Sequence, residues 1–287
     1  MSMTTRQKMR IAQVLSRSVR TARRVIGASN DIVDVHRKGL NWRLDLREGI
    51  DLSIYLIGAF EWRTVQSYKR FIKPGDVVLD IGANIGAHTL HLANLVGTTG
   101  RVHAFEPTQY AYRKLLDNIA LNPDLAPRIA PVQMMLTASD DAPLEAEICS
   151  SWPVEGEHQR HAQHEGTYQS TEGARAQTLD RFLNENGVTR VDFVKLDVDG
   201  HECEVLDGWT TIARYRPKII LELGPYDEHG RPIGELLDRL TVHGYGFYKL
   251  SPSTASNQLG QEPLQPAALA ASLRPGTGVN FMAMPRS

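Results

Sequence analysis

Asp80, Gly82, Gly86 and Glu106 form the first group whose types and spacing could do chemistry. Gly82 and Gly86 let the chain turn tightly and let a ligand approach the backbone. Glu106 closes a second hydrophobic run 20 residues after Gly86, where a carboxylate can take hydrogen bonds from ribose hydroxyls. A glycine turn and a carboxylate at the next strand tip describe a nucleoside pocket. The second group runs from Val191 to Glu202. There Lys195 and Asp197 share one face of an extended segment, Asp199 follows at the turn, and His201 and Glu202 open a helix. A lysine inside an apolar strand needs a carboxylate partner. Asp197 stands at a strand's C-terminal end, where open α/β sheets place their ligands. Asp199 and Glu202 also have capping-box spacing, which would occupy Glu202 with helix-start N–H groups.

The glycine turn discriminates between nucleosides. Dinucleotide sites carry G-x-G-x-x-G, whereas here an acid precedes Gly82 by two residues and only Gly86 follows. A pyrophosphate wants N–H donors and no anion nearby, so Asp80 is badly placed for NAD. A sulfonium carrying an ammonium group is cationic and is attracted by that carboxylate. The turn therefore points to S-adenosylmethionine (SAM).

The elements that must position these groups alternate. Val77–Leu79 are aliphatic without alternation, as in a strand covered on both faces of a parallel sheet. Strand and helix patterns then repeat over 77–82, 85–96, 101–106, 108–121 and 130–137, with His88 to Ala93 presenting helix-terminal N–H groups to the ligand. After an interruption at 141–176 the rhythm resumes with a strand at 191–197, a helix from about 201, a strand at 217–223 and a helix at 232–243. Tyr245–Leu250 and Val279–Met284 close the chain, as an antiparallel edge pair. Such alternation means a mostly parallel sheet with helices on both faces. Upstream, 32–57 suggests a hairpin and Ser53–Lys69 helix and turn. Residues 252–277 read as a loop with one short helix at 263–273. The expected organisation is a basic helix in 1–30, a hairpin and helix extension in 31–73, and a catalytic unit in 74–287.

The 287 residues allow one sizeable α/β domain with appendages. Residues 1–30 hold seven Lys/Arg and no acid, and the remainder carries 25 basic against 33 acidic residues, a net charge of −8. An acidic body argues against nucleic acid as a partner. Residues 6–26 form an amphipathic helix with Ile11, Val14, Leu15, Val19, Ala22, Val25 and Ile26 on one stripe. That helix either contacts an anionic membrane or an acidic partner, or lies on the domain with its arginines solvated. An arginine-rich, acid-free start also fits a transit peptide. No apolar stretch suits a bilayer span or a signal-peptide core, so the chain is expected in the cytoplasm, with or without peripheral membrane contact. Cys149 and Cys203 lack metal-ligand spacing. His158, His161 and His164 have a spacing that binds metal on a helix but more often marks a solvated loop. Trp152 and Tyr168 flank them and suit a lid over a sugar ring.

The chain resembles the FkbM family of SAM-dependent methyltransferases. The resemblance rests on Gly49–Asp51, Gly58–Glu61, Asp80–Gly86, Ala104–Pro107, Thr178–Asp180, Lys195–Glu202 and Glu222. One departure is Asp199, where the family more often has Glu. The resemblance implies a class I methyltransferase-like, Rossmann-like seven-stranded sheet with an antiparallel final strand. It also implies methyl transfer to a hydroxyl of a sugar, glycolipid or polyketide-type product. Cofactor contacts are expected from Asp80, Gly82, Ala83, Asn84, Gly86, Glu106, Pro107, Ser139 and Asp197. The chemistry is assigned to Asp197, which orients or deprotonates the acceptor, with Lys195 paired to a carboxylate and His201 as the alternative base. A divalent ion on Asp197 and Glu222 is an alternative that these residues do not require. Two rival readings are a nicotinamide-dependent oxidoreductase and a non-catalytic, membrane-recruited SAM-binding module. The regions 141–176 and 252–277 match the family least and are expected to select the acceptor.

Overall fold

Apolar runs too continuous for a half-exposed strand assemble into one sheet covered on both faces. The computed structural model describes residues 5–154, 166–250, 263–275 and 278–286. In chain order, α1 (Thr5–Val25) precedes a hairpin of β1 (Ile32–Arg37) and β2 (Leu40–Asp45), then α2 (Gly49–Ile57) and α3 (Trp62–Tyr68). The alternating part begins with β3 (Val77–Ile81), α4 (Thr89–Leu95), β4 (Arg101–Phe105), α5 (Gln109–Ala120) and β5 (Ile129–Val132). Short strands follow: β6 (Met134–Leu136), β7 (Glu147–Ser151), β8 (Thr167–Ser170) and β9 (Arg175–Gln177). Next come α6 (Leu179–Glu185), β10 (Phe193–Leu196), α7 (Glu202–Asp207), α8 (Ile212–Tyr215) and β11 (Lys218–Leu223). The chain ends with α9 (Gly234–Val242), β12 (Tyr245–Lys249), α10 (Pro266–Ser272) and β13 (Val279–Pro285).

The seven-stranded sheet has the order β12-β13-β11-β10-β3-β4-β5. Its strands from β5 to β11 pair parallel, and β13 runs antiparallel to both neighbours. The expected mostly parallel α/β architecture is therefore present, with the strand order reversing between β3 and β10. Alternation explains the two cores. Leu79, Val194 and Ile219 face one hydrophobic layer, while Val78, Phe193 and Ile220 face the other. By the same parity Asp80, Lys195 and Glu222 lie on the Val78 face, and Lys195 pairs directly with Asp80 in the ladder. One face of the sheet thus changes from apolar to ionisable toward its C-terminal edge.

Several expected elements shift for local reasons. The helix placed at 85–96 starts only at Thr89, because positive φ at Gly82, Asn84 and Gly86 keeps the preceding residues in turns. The strand placed at 130–137 splits: β5 stays in the main sheet, while β6 pairs parallel with β9. The interruption at 141–176 contains the antiparallel hairpin β7–β8. The largest difference is the orientation of α1. Met9 and Ser16 are buried, whereas Ile11, Val14, Leu15, Val25 and Ile26 face solvent. The Ser16 hydroxyl donates to the Leu46 carbonyl. Arg20 bonds Asp31 at 2.8 Å, with Arg24 3.9 Å from the same carboxylate. Met9, Val19 and these polar anchors seat the helix, while most of the apolar stripe faces outward.

Candidate active site

The C-terminal tips of β3, β4, β10 and β11 open into a cavity of about 900 Å³. Its floor includes Gly82, Ala83, Asn84, Glu106, Pro107, Lys195, Asp197, Asp199, His201, Glu202 and Glu222. Apolar walls come from α1 and α2 through Ile11, Leu15, Leu56 and Ile57, and from Phe60, Trp62 and Trp152. Among the described residues, six carboxyl groups line it (Glu61, Glu106, Asp197, Asp199, Glu202, Glu222) against two permanent cations, Lys195 and the exposed Arg63. The lining is rich in acids.

Lys195 is buried, and its Nζ lies 2.8 Å from Asp197 Oδ2. Burial alone would pull its pKa down, but Asp197 and Asp80 more than offset this and raise it. The expected lysine–carboxylate pair is thus present. Asp199, in a left-handed turn at φ 52°, has its carboxyl pushed well up by burial and by Asp197 and Glu202. Burial, then Asp197 and Glu61, do the same to Glu222. Gly278 gives Glu222 room, since a Cβ there would come 1.6 Å from its Oε1. Glu202 Oε1 accepts from the N–H groups of Val198 and Gly200. Its capping role is therefore spent on the turn before α7, where His201 rather than Asp199 is the N-cap.

The glycine turn works differently from the expectation. All N–H groups from Gly82 to Gly86 are used inside the protein: Gly82 and Ala83 donate to the Phe105 carbonyl and Gly86 to that of Ala83. Asn84 N–H donates to Glu106 Oε2, and Ile85 N–H to Asn84 Oδ1. None of these five N–H groups is left for a ligand. Gly82 is required because a Cβ would lie 1.8 Å from the Asp197 carbonyl oxygen, so β10 rather than a ligand makes the close approach. At Gly86 the same test meets Leu115 at 2.9 Å. Asp80 is wholly buried behind the turn and accepts from the Thr89 hydroxyl at 2.6 Å. Neither Asp80 nor Gly86 lines the cavity. Asp80 bears on it by charge through Lys195, not by contact.

Glu106 sits where expected, buried at the tip of β4. Besides Asn84 N–H, its Oε1 accepts from the Thr108 N–H at 2.9 Å, the Thr108 hydroxyl, and Ser150 Oγ at 3.2 Å. Ser150 comes from β7, and its carbonyl accepts from Asn84 Nδ2 at 2.8 Å. The hairpin of the 141–176 segment therefore clamps the turn and the β4 carboxylate together.

Ser139 does not line the cavity. It is exposed, and its carbonyl accepts from the Thr137 hydroxyl and Ala142 N–H. The chain leaves the β6 strand for an outward turn just before it. Trp152 lines the cavity, Tyr168 is exposed, and His158, His161 and His164 lie outside the described residues. Sequence reasoning missed three groups. Glu61 accepts from Asn280 Nδ2 at 2.9 Å and stands 3.7 Å from His88 Nε2. His88 Nδ1 meets the Tyr68 hydroxyl at 2.7 Å, and burial followed by the Lys195 charge holds this ring neutral. Position directly after the glycine turn was the only signal for His88. His201, Glu204 and His229 bring ligand atoms within 4.8 Å of one another. The Arg231 guanidinium already bonds Glu204, Asp207 and Asp227 there and supplies the positive charge a metal would bring.

The likeness to known proteins agrees with this geometry. A family model described as the methyltransferase FkbM domain matches residues 80–247, which include both strand-tip groups. The chain belongs to that family of methyltransferases. It is 31% identical over 150 residues to the hexuronic acid methyltransferase AglP of Haloferax volcanii, covering 52% of this chain and 56% of that protein. It is 28% identical over 202 residues to the 31-O-demethyl-FK506 methyltransferase FkbM of Streptomyces tacrolimicus, covering 61% and 74% respectively. The chain thus spans little more than half of the first relative's length. Among solved structures, the methyltransferase FkbM from Methylobacillus flagellatus superposes with a TM-score of 0.42 at 15% identity over 76% of this chain and 50% of that one. That overlap is too loose to bear on function.

Proposed function

We propose that the chain is a SAM-dependent O-methyltransferase whose acceptor is a hydroxyl of a sugar, a glycan or a polyketide-type product. The observation that carries this is the carboxyl-rich lining of the cavity. Among the described residues, six carboxyl groups face two cations beside a turn whose five N–H groups are already spent. A pyrophosphate finds none of those N–H donors free and an excess of acids over cations, whereas a sulfonium and an ammonium group favour the ionised form of carboxyls that burial otherwise keeps protonated. Glu106 suits a ribose diol, with Ser150 Oγ as the donor it displaces. SAM, when bound, supplies the transferable methyl group.

The chain's own part is alignment and proton handling. Asp197 stands at the tip of β10, and the Lys195 ammonium fixes one of its oxygens at 2.8 Å. The other oxygen is left to orient an acceptor hydroxyl and take its proton. His201, with a buried Nδ1 lacking a partner, is the alternative base. The two relatives named above act, by their names, on a hexuronic acid and on 31-O-demethyl-FK506. The apolar and aromatic walls of Phe60, Trp62 and Trp152 fit a ring-shaped neutral acceptor better than an anionic one. Calorimetric titration with S-adenosylhomocysteine, SAM and NAD tests the assignment. Binding of both adenosyl ligands without NAD is expected; binding of NAD alone would overturn it.

A further inference from the structure

The exposed stripe of α1 is a feature the site does not use. Val14, Val25 and Ile26 are 65, 82 and 81% exposed, and Ile11 and Leu15 are exposed beside them. The helix needs no cover on that side to stay in place, being anchored through Met9, Ser16 and Arg20 on the other. Leu56 and Ile57, at the end of the α2 helix that α1 packs on, are exposed as well. A contiguous apolar surface of this kind marks a place where something docks. Arg10, Arg17 and Arg24 recur every seven residues along one flank, and all are exposed. Two copies of the chain meeting through this stripe would bring these arginine rows together against like-charge repulsion. An anionic bilayer attracts the arginines and accepts the stripe at the boundary between headgroups and acyl chains.

We propose that α1 lies in the surface of an anionic membrane, its Ile11–Ile26 stripe inward and Arg10, Arg17 and Arg24 among the headgroups. At 21 residues it covers about 30 Å of that surface. The stripe contains no Trp or Phe, so apolar burial alone is weak and attachment depends on anionic lipid. Ile11 and Leu15 also line the cavity, so the docked face runs into the mouth of the site. Docking turns that mouth toward the bilayer, the side from which a lipid-carrying acceptor arrives. Only this last step rests on the methyl-transfer reading.

Vesicle flotation of the full chain tests the docking. Vesicles of phosphatidylcholine alone are compared with equal parts of phosphatidylcholine and phosphatidylglycerol. The variant carrying Val14→Glu and Val25→Glu changes two exposed side chains that do not line the cavity. A circular-dichroism melt and S-adenosylhomocysteine titration check that it stays folded. The unaltered chain is expected to float with the anionic vesicles only, and to be released by high salt. The variant should lose at least about tenfold in partitioning, the worth of one buried Val side chain or more. An unaltered chain that stays behind with anionic vesicles overturns the proposal. So does a dimer in solution that the variant dissociates, since the stripe then belongs to a second copy. Loss of S-adenosylhomocysteine binding with flotation intact would count against the enzymatic reading alone.

Discussion

The tips of β4 and β10 each present a carboxylate to the same cavity, yet they are satisfied by opposite means. Glu106 is surrounded by neutral donors: two backbone N–H groups and the hydroxyls of Thr108 and Ser150. Asp197 is held by a single buried cation and has Asp199, Glu202 and Glu222 as neighbours. A carboxylate saturated with donors recognises geometry, because a ligand hydroxyl must replace a donor in place. A carboxylate in an acid-rich cluster recognises charge. The division matches a ligand with a diol at one end and cationic groups at the other.

Breaking the charged tip should have the largest effect. Lys195→Met leaves the buried Asp80 and the half-buried Asp197 without their counter-charge, and removing one partner of a buried pair costs about 3–5 kcal/mol. Urea unfolding at neutral pH should show a loss of that order, shrinking at acid pH as the carboxylates protonate. An unchanged midpoint would mean that Lys195 does not balance the cluster. Asp197→Asn keeps the shape and leaves Lys195 the Asp80 carboxylate as counter-charge, so it should cost less stability than Lys195→Met. It should lower turnover by about 10²–10⁴-fold, the usual worth of a general base, with little change in S-adenosylhomocysteine affinity. Turnover retained within a few-fold would remove Asp197 from the proton path.

The same tip predicts the pH dependence. Burial raises Glu202 from 4.5 to about 7, and Asp199 and Glu222 are pushed up as well. Glu48 at the start of α2 is also raised to about 7, by burial and then by Asp51 and Asp45 against the pull of Lys114. Between about 4.5 and 7 the folded chain therefore keeps protons that the unfolded chain has released. More protons bound in the folded state means that stability falls as pH rises through this window. The melting temperature without ligand should decline across it. S-adenosylhomocysteine, which keeps the ammonium group but lacks the sulfonium, should flatten the decline less than SAM does. A melting temperature that rises across the window would refute the buried-acid description.

How much of this was legible depended on how local the cause was. The buried strands β3, β10 and β11 announced themselves as largely apolar runs, and the Lys195–Asp197 pair followed from strand periodicity and the cost of an unpaired buried charge. The glycine turn was visible, but its reason was not: Gly82 makes room for the carbonyl of Asp197, a residue on a strand far along the chain. Glu61 and His88 reach the cavity only through packing between α3, α4 and the start of β13, which leaves no short-range pattern. The stripe on α1 was legible as a pattern, but which side of the helix meets the domain was not. Periodicity says which residues share a side of a helix, while Ser16 and Arg20 decided which side meets the domain. Ser139 lies away from the cavity because the chain turns outward before it.

The smallest effect should sharpen the hydrogen-bonded tip. Ser150 Oγ shares Glu106 with Thr108 and stands 2.9 Å from the Thr108 hydroxyl, while its backbone carbonyl holds Asn84. Ser150→Ala removes the hydroxyl and keeps the carbonyl, so the hairpin still clamps the turn. Glu106 retains three donors, and the loss of one neutral hydrogen bond is worth about 1 kcal/mol. Stability should fall by roughly that amount in urea titration. If a ribose diol takes the place of this hydroxyl, the variant no longer has a donor to displace, and S-adenosylhomocysteine affinity should hold or rise by a few-fold. A fall in affinity beyond about tenfold, equal to roughly 1.4 kcal/mol, would mean that Ser150 contacts the ligand itself. Glu106 would then not be the sole ribose partner at the β4 tip.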